Sequence, residues 1–534
     1  MSYNLIIKGG KIIDGTGKKR YRGCLAIKDG KIAKIAPVID DASEITIDAG
    51  GKVVSPGFID PHAHNDGYIF MDPSNSYKLF QGVTTEISGN CGEGLVPVSD
   101  EYFSEICEYY RPYYPADDFN TYKTGAVFYG KIDGLPLGNN IGFLCAHGTL
   151  RMSVMGFSAK AADSSRLELM KKRLAECMES GALGMSTGLV YSPGCFADTE
   201  ELIELCKVVH QYNGIYCTHL RSEGYGLIDS VNEAIRIARE SKVRTVISHL
   251  KALGRNYWGL SAKIIELIES ARADGIDIYC DQYPYTTSCT VLHWVIPIEY
   301  TTGGFVKMCQ RLSDPAERQH IKDMYANKFG LWDNLMENIT PSGIHVLKAD
   351  KTPDAVGKTI QGYADSMGAD PHDALFDVIV ANKADSIAAF DCMSEDDVKY
   401  IMKRHEYCMV GSDGIDVLPK EKNHPRLTGA FPRVLGKYVR QEAVLSLETA
   451  VKKMTSLPAK VVGIPNKGIL KKGFDADICI FDEDRIIDKG TLDDFNIKPE
   501  GIEWVIVNGK IALADGQYTG TASGRRITKQ GGAS

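Results

Sequence analysis

A surplus of positive charge is missing from this chain, and so is any long apolar run. In 534 residues, 61 lysines and arginines face 69 aspartates and glutamates, for a formal net charge of -8. That balance argues against a surface made for nucleic acid or for an anionic membrane. No apolar stretch reaches the ~20 residues that a membrane-spanning helix needs. The opening "MSYNLIIKGGKIIDG" holds its apolar residues in a short, turn-bounded strand, without the apolar core of a secretory signal. Cysteine is not scarce, at 14 residues, but CxxC pairs and the close spacing of disulfide scaffolds are absent. A cytoplasmic protein with reduced, mostly buried thiols is the expectation. With 44% hydrophobic residues the chain can bury a large core, as one large domain with an accessory piece or as several smaller ones.

What the chain does have is a rhythm. Eight apolar, β-type segments recur, each leading into a polar loop and usually into a helix-period stretch. They are "VVSPGFIDPHAH", "VTTEISGNC", "IGFLCAHGT", "GALGMSTGLVY", "GIYCTHLRS", "RTVISHLKA", "DIYCDQYPY" and "CMVGSDGI". Between them "DTEELIELCKVVHQY" opens on an aspartate cap with two early acids, and "LIDSVNEAIRIARES" and "AKIIELIESARADG" look similar. Buried strands alternating with helices predict an α/β fold, a (β/α)8 TIM barrel over residues 56–467. Strand count alone leaves a doubly wound open sheet as the competing arrangement. Residues 290–404, between strands seven and eight, are too many for a plain helix and predict an inserted lid subdomain, with "ADPHDALFDVIVAN" as one of its helices. "YNLIIKGGKIIDG" and "CLAIKDGKIAKIAP" at the front resemble "ADICIFDED" and "WVIVNGKIALADG" at the back, all short alternating strands with glycine turns. Residues 1–55 and 468–534 are therefore expected to meet in one small β-sandwich domain. The terminal "GGAS" is expected to be disordered.

In such a barrel, chemistry sits at the carboxyl ends of the strands. Strand one ends in "DPHAH", which puts His62 and His64 on one side of the chain. Strand two ends in Cys91, strand five in His219, strand six in His249 and strand eight in Asp413. Taken singly, each is more often structural than functional, and Cys91 could equally be core filler or a nucleophile. Six such groups at one rim are another matter. Imidazoles, a thiolate and a carboxylate are the donor set that suits zinc, and Cys91 is best read as a zinc ligand.

The segments "GFIDPHAHND", "GVTTEISGNCG", "GALGMSTGLVYSPG", "THLRSEG", "ISHLKALG", "DQYPYT", "GSDGI" and "HPRLTGAFPRVLGKYVR" resemble the N-acyl-D-amino-acid deacylases (D-aminoacylases) of the amidohydrolase superfamily. "KGILKKGFDADICIFD" is similar to that superfamily's closing signature. The resemblance runs nearly end to end, with the insertion before strand eight poorly covered. It implies a tight zinc on Cys91, His219 and His249, and a weaker second metal position on His62 and His64 with Cys91 able to bridge. It implies Asp413 as the catalytic base, and a small N-acyl amino acid as substrate. Other branches of the superfamily bridge two metals with a carboxylated lysine on strand four. "GALGMSTGLVYS" has no lysine, which disfavours that kind of centre and leaves Cys91 as the bridging candidate.

Specificity is expected from cations that hold a carboxylate. Arg426 can grip one bidentately, and Lys251 and Tyr283 match positions that contact the carboxylate in the family. Cys289 falls near where several relatives carry serine. His147 reads as structural or as support for the site, and His293 as a substrate contact or as packing for the lid. The implied activity is zinc-dependent hydrolysis of N-acyl-D-amino acids, with no acyl-enzyme. A related amidohydrolase acting on another amide or a cyclic amide, and a barrel kept only as a binding scaffold, are the alternatives. Nucleic-acid and membrane partners are not expected. The motifs leave open the preferred side chain, the number of metals and the oligomeric state.

Overall fold

The computed structural model describes residues 2–111, 122–327, 332–415 and 422–529. The "GGAS" tail lies outside them. Among the described residues, no helix is long and apolar enough to cross a membrane.

All eight apolar segments form strands. In chain order the barrel is Phe58–Asp60, Val83–Ser88, Asn140–Phe143, Gly184–Gly188, Ile215–His219, Arg244–Ile247, Ile278–Gln282 and Cys408–Val410. Neighbours pair in parallel, with Gly188 opposite His219, Thr218 opposite Ile247 and Ile247 opposite Cys280. Short extensions past the first and last strands close the ring, where Gly414 pairs with Ala63 and Ile415 with His64. This closure excludes the open sheet and brings the two ends of the donor series side by side.

The intervening helices follow from their sequences. Thr199–Gln211 is capped by the Asp198 carboxylate, which accepts from the Glu201 amide, and its first turn carries Glu200 and Glu201, the sign the helix dipole favours. Leu227–Ser241 and Ser261–Ala273 bury apolar stripes against the barrel, among them Val231, Ile235, Ile264 and Ile268.

Between strands seven and eight, three antiparallel strands, Thr287–Val291, Ile344–Lys348 and Ile387–Asp391, are surrounded by helices. One of these is Pro371–Ala381, with Asp370 as its cap and proline in its first turn. The added sheet starts at Thr287, while Glu395–Met402 packs back on Ser261–Ala273 as a barrel helix does.

The chain ends meet in a single nine-stranded sheet. Val53–Pro56 pairs antiparallel with Ile478–Phe481, Val54 opposite Ile480. Leu5, Ile7, Leu25 and Val54 share one core with Ile478, Ile480 and Ile506, so both chain ends bury one apolar face together, in one continuous sheet where a sandwich was expected. After this sheet the chain returns to the barrel. Ile527 donates to the Ile141 carbonyl and buries its side chain in the barrel core.

Candidate active site and metal centre

The strand ends deliver their polar residues to one buried pocket. His64, Cys91, His219, His249, Lys251, Tyr283, Asp413 and Arg426 all line it, and His62 lies directly beneath. Cys91, His249 and Asp413 have left-handed backbones, with φ of 53°, 37° and 52°. Only glycine enters that region without penalty, and such strain gathers at functional sites. Each strand therefore ends in a sharp turn that throws its last polar side chain over the barrel mouth.

The Cys91 Sγ lies 3.3 Å from His62 Nε2 and 3.4 Å from His249 Nε2. Asp413 Oδ1 is 3.2 Å from His62 Nε2 and 3.1 Å from His64 Nε2. One donor atom each from His62, Cys91, His249 and Asp413 falls within 4.8 Å of the others, and His219, Glu223 and His249 form a second such group. The geometry thus groups the donors differently from the expected split. Cys91 stands between the first-strand histidines and His249, where a bridging thiolate would stand, and His249 belongs to both groups.

The donor set fits zinc. Both ring nitrogens of His219 and the Nδ1 of His64 are buried without a hydrogen-bond partner, which leaves their lone pairs to a metal. Burial opposes the charge on Cys91, but His62 and His249 outweigh it and hold the thiol well below its usual pKa. Burial likewise opposes the Asp413 carboxylate, yet Arg426 and His62 keep it well below the usual range. Against their own burial, the carboxylates and the thiolate push His64 to about 10 and His219 to about 9. A divalent cation would satisfy the same negative field with the imidazoles neutral.

Two carboxylates outside the sequence-based set orient the imidazoles. Asp281 Oδ1 lies 3.1 Å from His62 Nδ1 and accepts from the His249 amide at 2.8 Å. Glu223 Oε1 lies 3.0 Å from His249 Nδ1, and Glu223 Oε2 lies 3.5 Å from His219 Nε2. A proton on the outer nitrogen, aimed at such a carboxylate, leaves the inner lone pair for a metal. Both residues stand in quoted motifs, Glu223 in "THLRSEG" and Asp281 at the end of strand seven. The strand-end rule that found Asp413 applies equally to Asp281.

The cations are less free than the sequence suggests. Lys251 donates to Glu223 Oε1 at 2.5 Å, and its Nζ is 2.8 Å from His249 Nδ1. Arg426 Nη2 donates to the Cys289 carbonyl at 2.8 Å, and Nη1 lies 2.7 Å from Asp413 Oδ2, off the hydrogen-bonding direction. Arg426 Nε and Nη1 and the Tyr283 hydroxyl have no hydrogen-bond partner, and the guanidinium sits 4.8 Å above the Tyr283 ring. Cys289 contributes its carbonyl, while the neighbouring Ser288 lines the pocket with an unpartnered hydroxyl. His147 is structural, with Nε2 2.8 Å from Glu201 Oε1. His293 lies outside the pocket, in a cavity next to it.

Beneath the pocket, Lys78 is fully buried and donates to Asp60 Oδ2 at 2.6 Å and to Ser412 Oγ at 2.8 Å. Asp60 Oδ1 accepts from the amides of His62 and Ser412. This knot ties the first strand to the loop of Asp413.

A closed (β/α)8 barrel with imidazole, thiolate and carboxylate donors gathered at one mouth defines a barrel metallohydrolase. A family model described as "Amidohydrolase family" matches residues 46–250 and 363–513, and the chain belongs to that family, in its N-acyl-D-amino-acid deacylase branch. The unmatched middle holds much of the inserted subdomain. The chain is 33% identical to an N-acyl-D-glutamate deacylase of Alcaligenes xylosoxydans xylosoxydans over 95% of its own length and 93% of the relative's. It is 32% identical to a D-aminoacylase of the same organism, covering 99% and 98%. The crystal structure of an N-acyl-D-glutamate deacylase from Bordetella bronchiseptica, complexed with zinc and a phosphonate inhibitor, superposes with a TM-score of 0.82 at 30% identity, over 99% of this chain and 100% of that one.

Proposed function

We propose that this protein hydrolyses N-acyl-D-amino acids to a carboxylate and a free D-amino acid, with zinc held by Cys91, His219 and His249 and a weaker position at His62 and His64. The observation that carries the reading is that His249 shares one donor group with Cys91 and a second with His219, whose ring nitrogens are buried without a hydrogen-bond partner. When bound, zinc supplies a water of pKa lowered towards ~7 and a Lewis acid for the acyl carbonyl.

The chain's own groups do the rest. Asp413, kept ionised by Arg426 and His62, takes the proton of the attacking water and returns it to the departing amine nitrogen. Arg426, through Nε and Nη1, and the Tyr283 hydroxyl offer donors to the substrate carboxylate. Lys251, fixed on Glu223, adds positive charge at the same rim. Cys91 is not a nucleophile in this scheme, because its sulfur is shared between His62 and His249.

The test is zinc content together with release of free amino acid from N-acetyl-D-methionine and its L enantiomer. Faster release from the D series, and loss of both zinc and turnover in His219→Ala, are expected. Preference for the L series, or full zinc in His219→Ala, would sink the reading.

A further inference from the structure

A second cavity adjoins the site. Tyr191 and Trp294 line both, and beyond them the cavity is walled by Tyr109, Val291, His293 and Phe305. The shared wall stands next to a candidate ligand, with the ring centroids of Tyr191 and Trp294 at 5.2 and 6.5 Å from that of His219. Val291 is two residues along its strand from Cys289, whose carbonyl holds Arg426. At about 3.3 Å per residue, Val291 stands some 7 Å along the strand from the residue that holds Arg426. That is the reach of a substituent on an N-acyl amino acid whose carboxylate rests on Arg426.

The lining is mainly apolar and aromatic, with Ser192 and Thr301 as neutral polar groups. Among the described residues it contains no lysine, arginine, aspartate or glutamate. His293 is its only titratable group besides the tyrosines, and burial lowers His293 to about 4, so its ring is neutral at pH 7. Its Nδ1 is unpartnered, and its ring packs 4.4 Å from that of Phe305. Just outside, the neighbouring site carries both signs, with Glu93, Glu223 and Asp413 against Lys251 and Arg426. Glu93 lines the neighbouring site and accepts from the Tyr109 hydroxyl at 3.3 Å. An acidic group entering here would lose its water and gain no cation, a cost that buried carboxylates do not recover.

We propose that this cavity receives an apolar, uncharged substituent of the substrate, so that the enzyme gains rate from apolar bulk and not from an acidic group at this position. The inference rests on the deacylase reading above. The substituent has two possible sources, the side chain on Cα and the acyl chain, and burying either is worth about fourfold per methylene, the ~0.8 kcal/mol of one buried CH2.

The experiment is kcat/KM on two series, with Val291→Trp as a filling variant and Phe305→Ala as an enlarging one. One series keeps the acetyl group and runs D-alanine, D-leucine, D-phenylalanine and D-glutamate. The other keeps D-alanine and runs acetyl, butanoyl and hexanoyl. A several-fold rise with apolar size in at least one series is expected, and that series identifies the occupant. Val291→Trp should abolish that rise, and Phe305→Ala should move the optimum to a larger group. The second variant stands alone if the first does not fold. A flat response in both series, or a rise that neither variant alters, overturns the proposal while leaving the deacylase intact. Absence of hydrolysis of every N-acyl-D-amino acid overturns the deacylase reading itself.

Discussion

Asp413 Oδ1 faces His62 and His64, and its Oδ2 faces Arg426. The same side chain is therefore placed to accept a proton and to lean on the cation that meets the substrate. Asp413→Asn keeps the shape and removes the acceptor, so kcat should fall by ~100-fold or more. Zinc should be retained, because the tight position is assigned to Cys91, His219 and His249; metal analysis beside steady-state kinetics checks both halves. Arg426→Lys keeps the charge and loses the planar fork. It should raise KM for N-acyl-D-amino acids far more than for an N-acyl amine without the carboxylate. Equal damage on both substrates would mean that Arg426 acts mainly by steadying Asp413. His62, His64, Cys91, His219, His249 and Asp413 were legible in the sequence because a barrel strand announces its own end. Lys78 was not, because its partners Asp60 and Ser412 are 18 and 334 residues away.

At the next scale, the helix His147–Met155 is bound to the helix Thr199–Gln211 through one buried carboxylate. Glu201 accepts from Arg151, which is fully buried, and faces His147 Nε2. Burial opposes its charge, but His147 and Arg151 outweigh it, so its folded pKa lies below the ordinary 4.5. The stabilisation is thus fully present above about pH 4.5 and is lost as pH falls through the lower, folded value. Glu201→Gln should cost about 3 kcal/mol at pH 7, since it leaves Arg151 buried without its counter-charge. Denaturant titrations at pH 7 and pH 3 test this, and the gap between wild type and variant should narrow at the lower pH. A constant gap would put the loss down to packing. Strands and helices were readable because apolar period and cap residues are local signals. The clamp made by Asp333 was not. It accepts from Ser222 Oγ and from the amides of Glu223, Gly224 and Tyr225, so the inserted subdomain holds the loop that carries Glu223. A contact that spans 110 residues leaves no trace in a local pattern.

For the whole molecule, the sheet made by both chain ends is the feature with the widest reach. A chain ending at residue 470 lacks Ile478–Phe481, the strand on which Val53–Pro56 is paired, and the Ile527 contact with the barrel. Limited proteolysis with mass spectrometry should find cleavage within residues 3–56 of that shortened chain long before the same sites are cut in the full one. Equal protection would show that the front strands are stable alone. The pairing of Val54 with Ile480 also has a meaning in time. At the ~5–20 residues per second of synthesis, the edge at Val54 waits roughly 20–90 s for its partner to be made. Unpaired strand edges are where chains stick to one another. On the ribosome, then, this protein is most exposed to misassembly at the strand Val53–Pro56, while His62 to Asp413, the whole span of the proposed metal centre, has already been made.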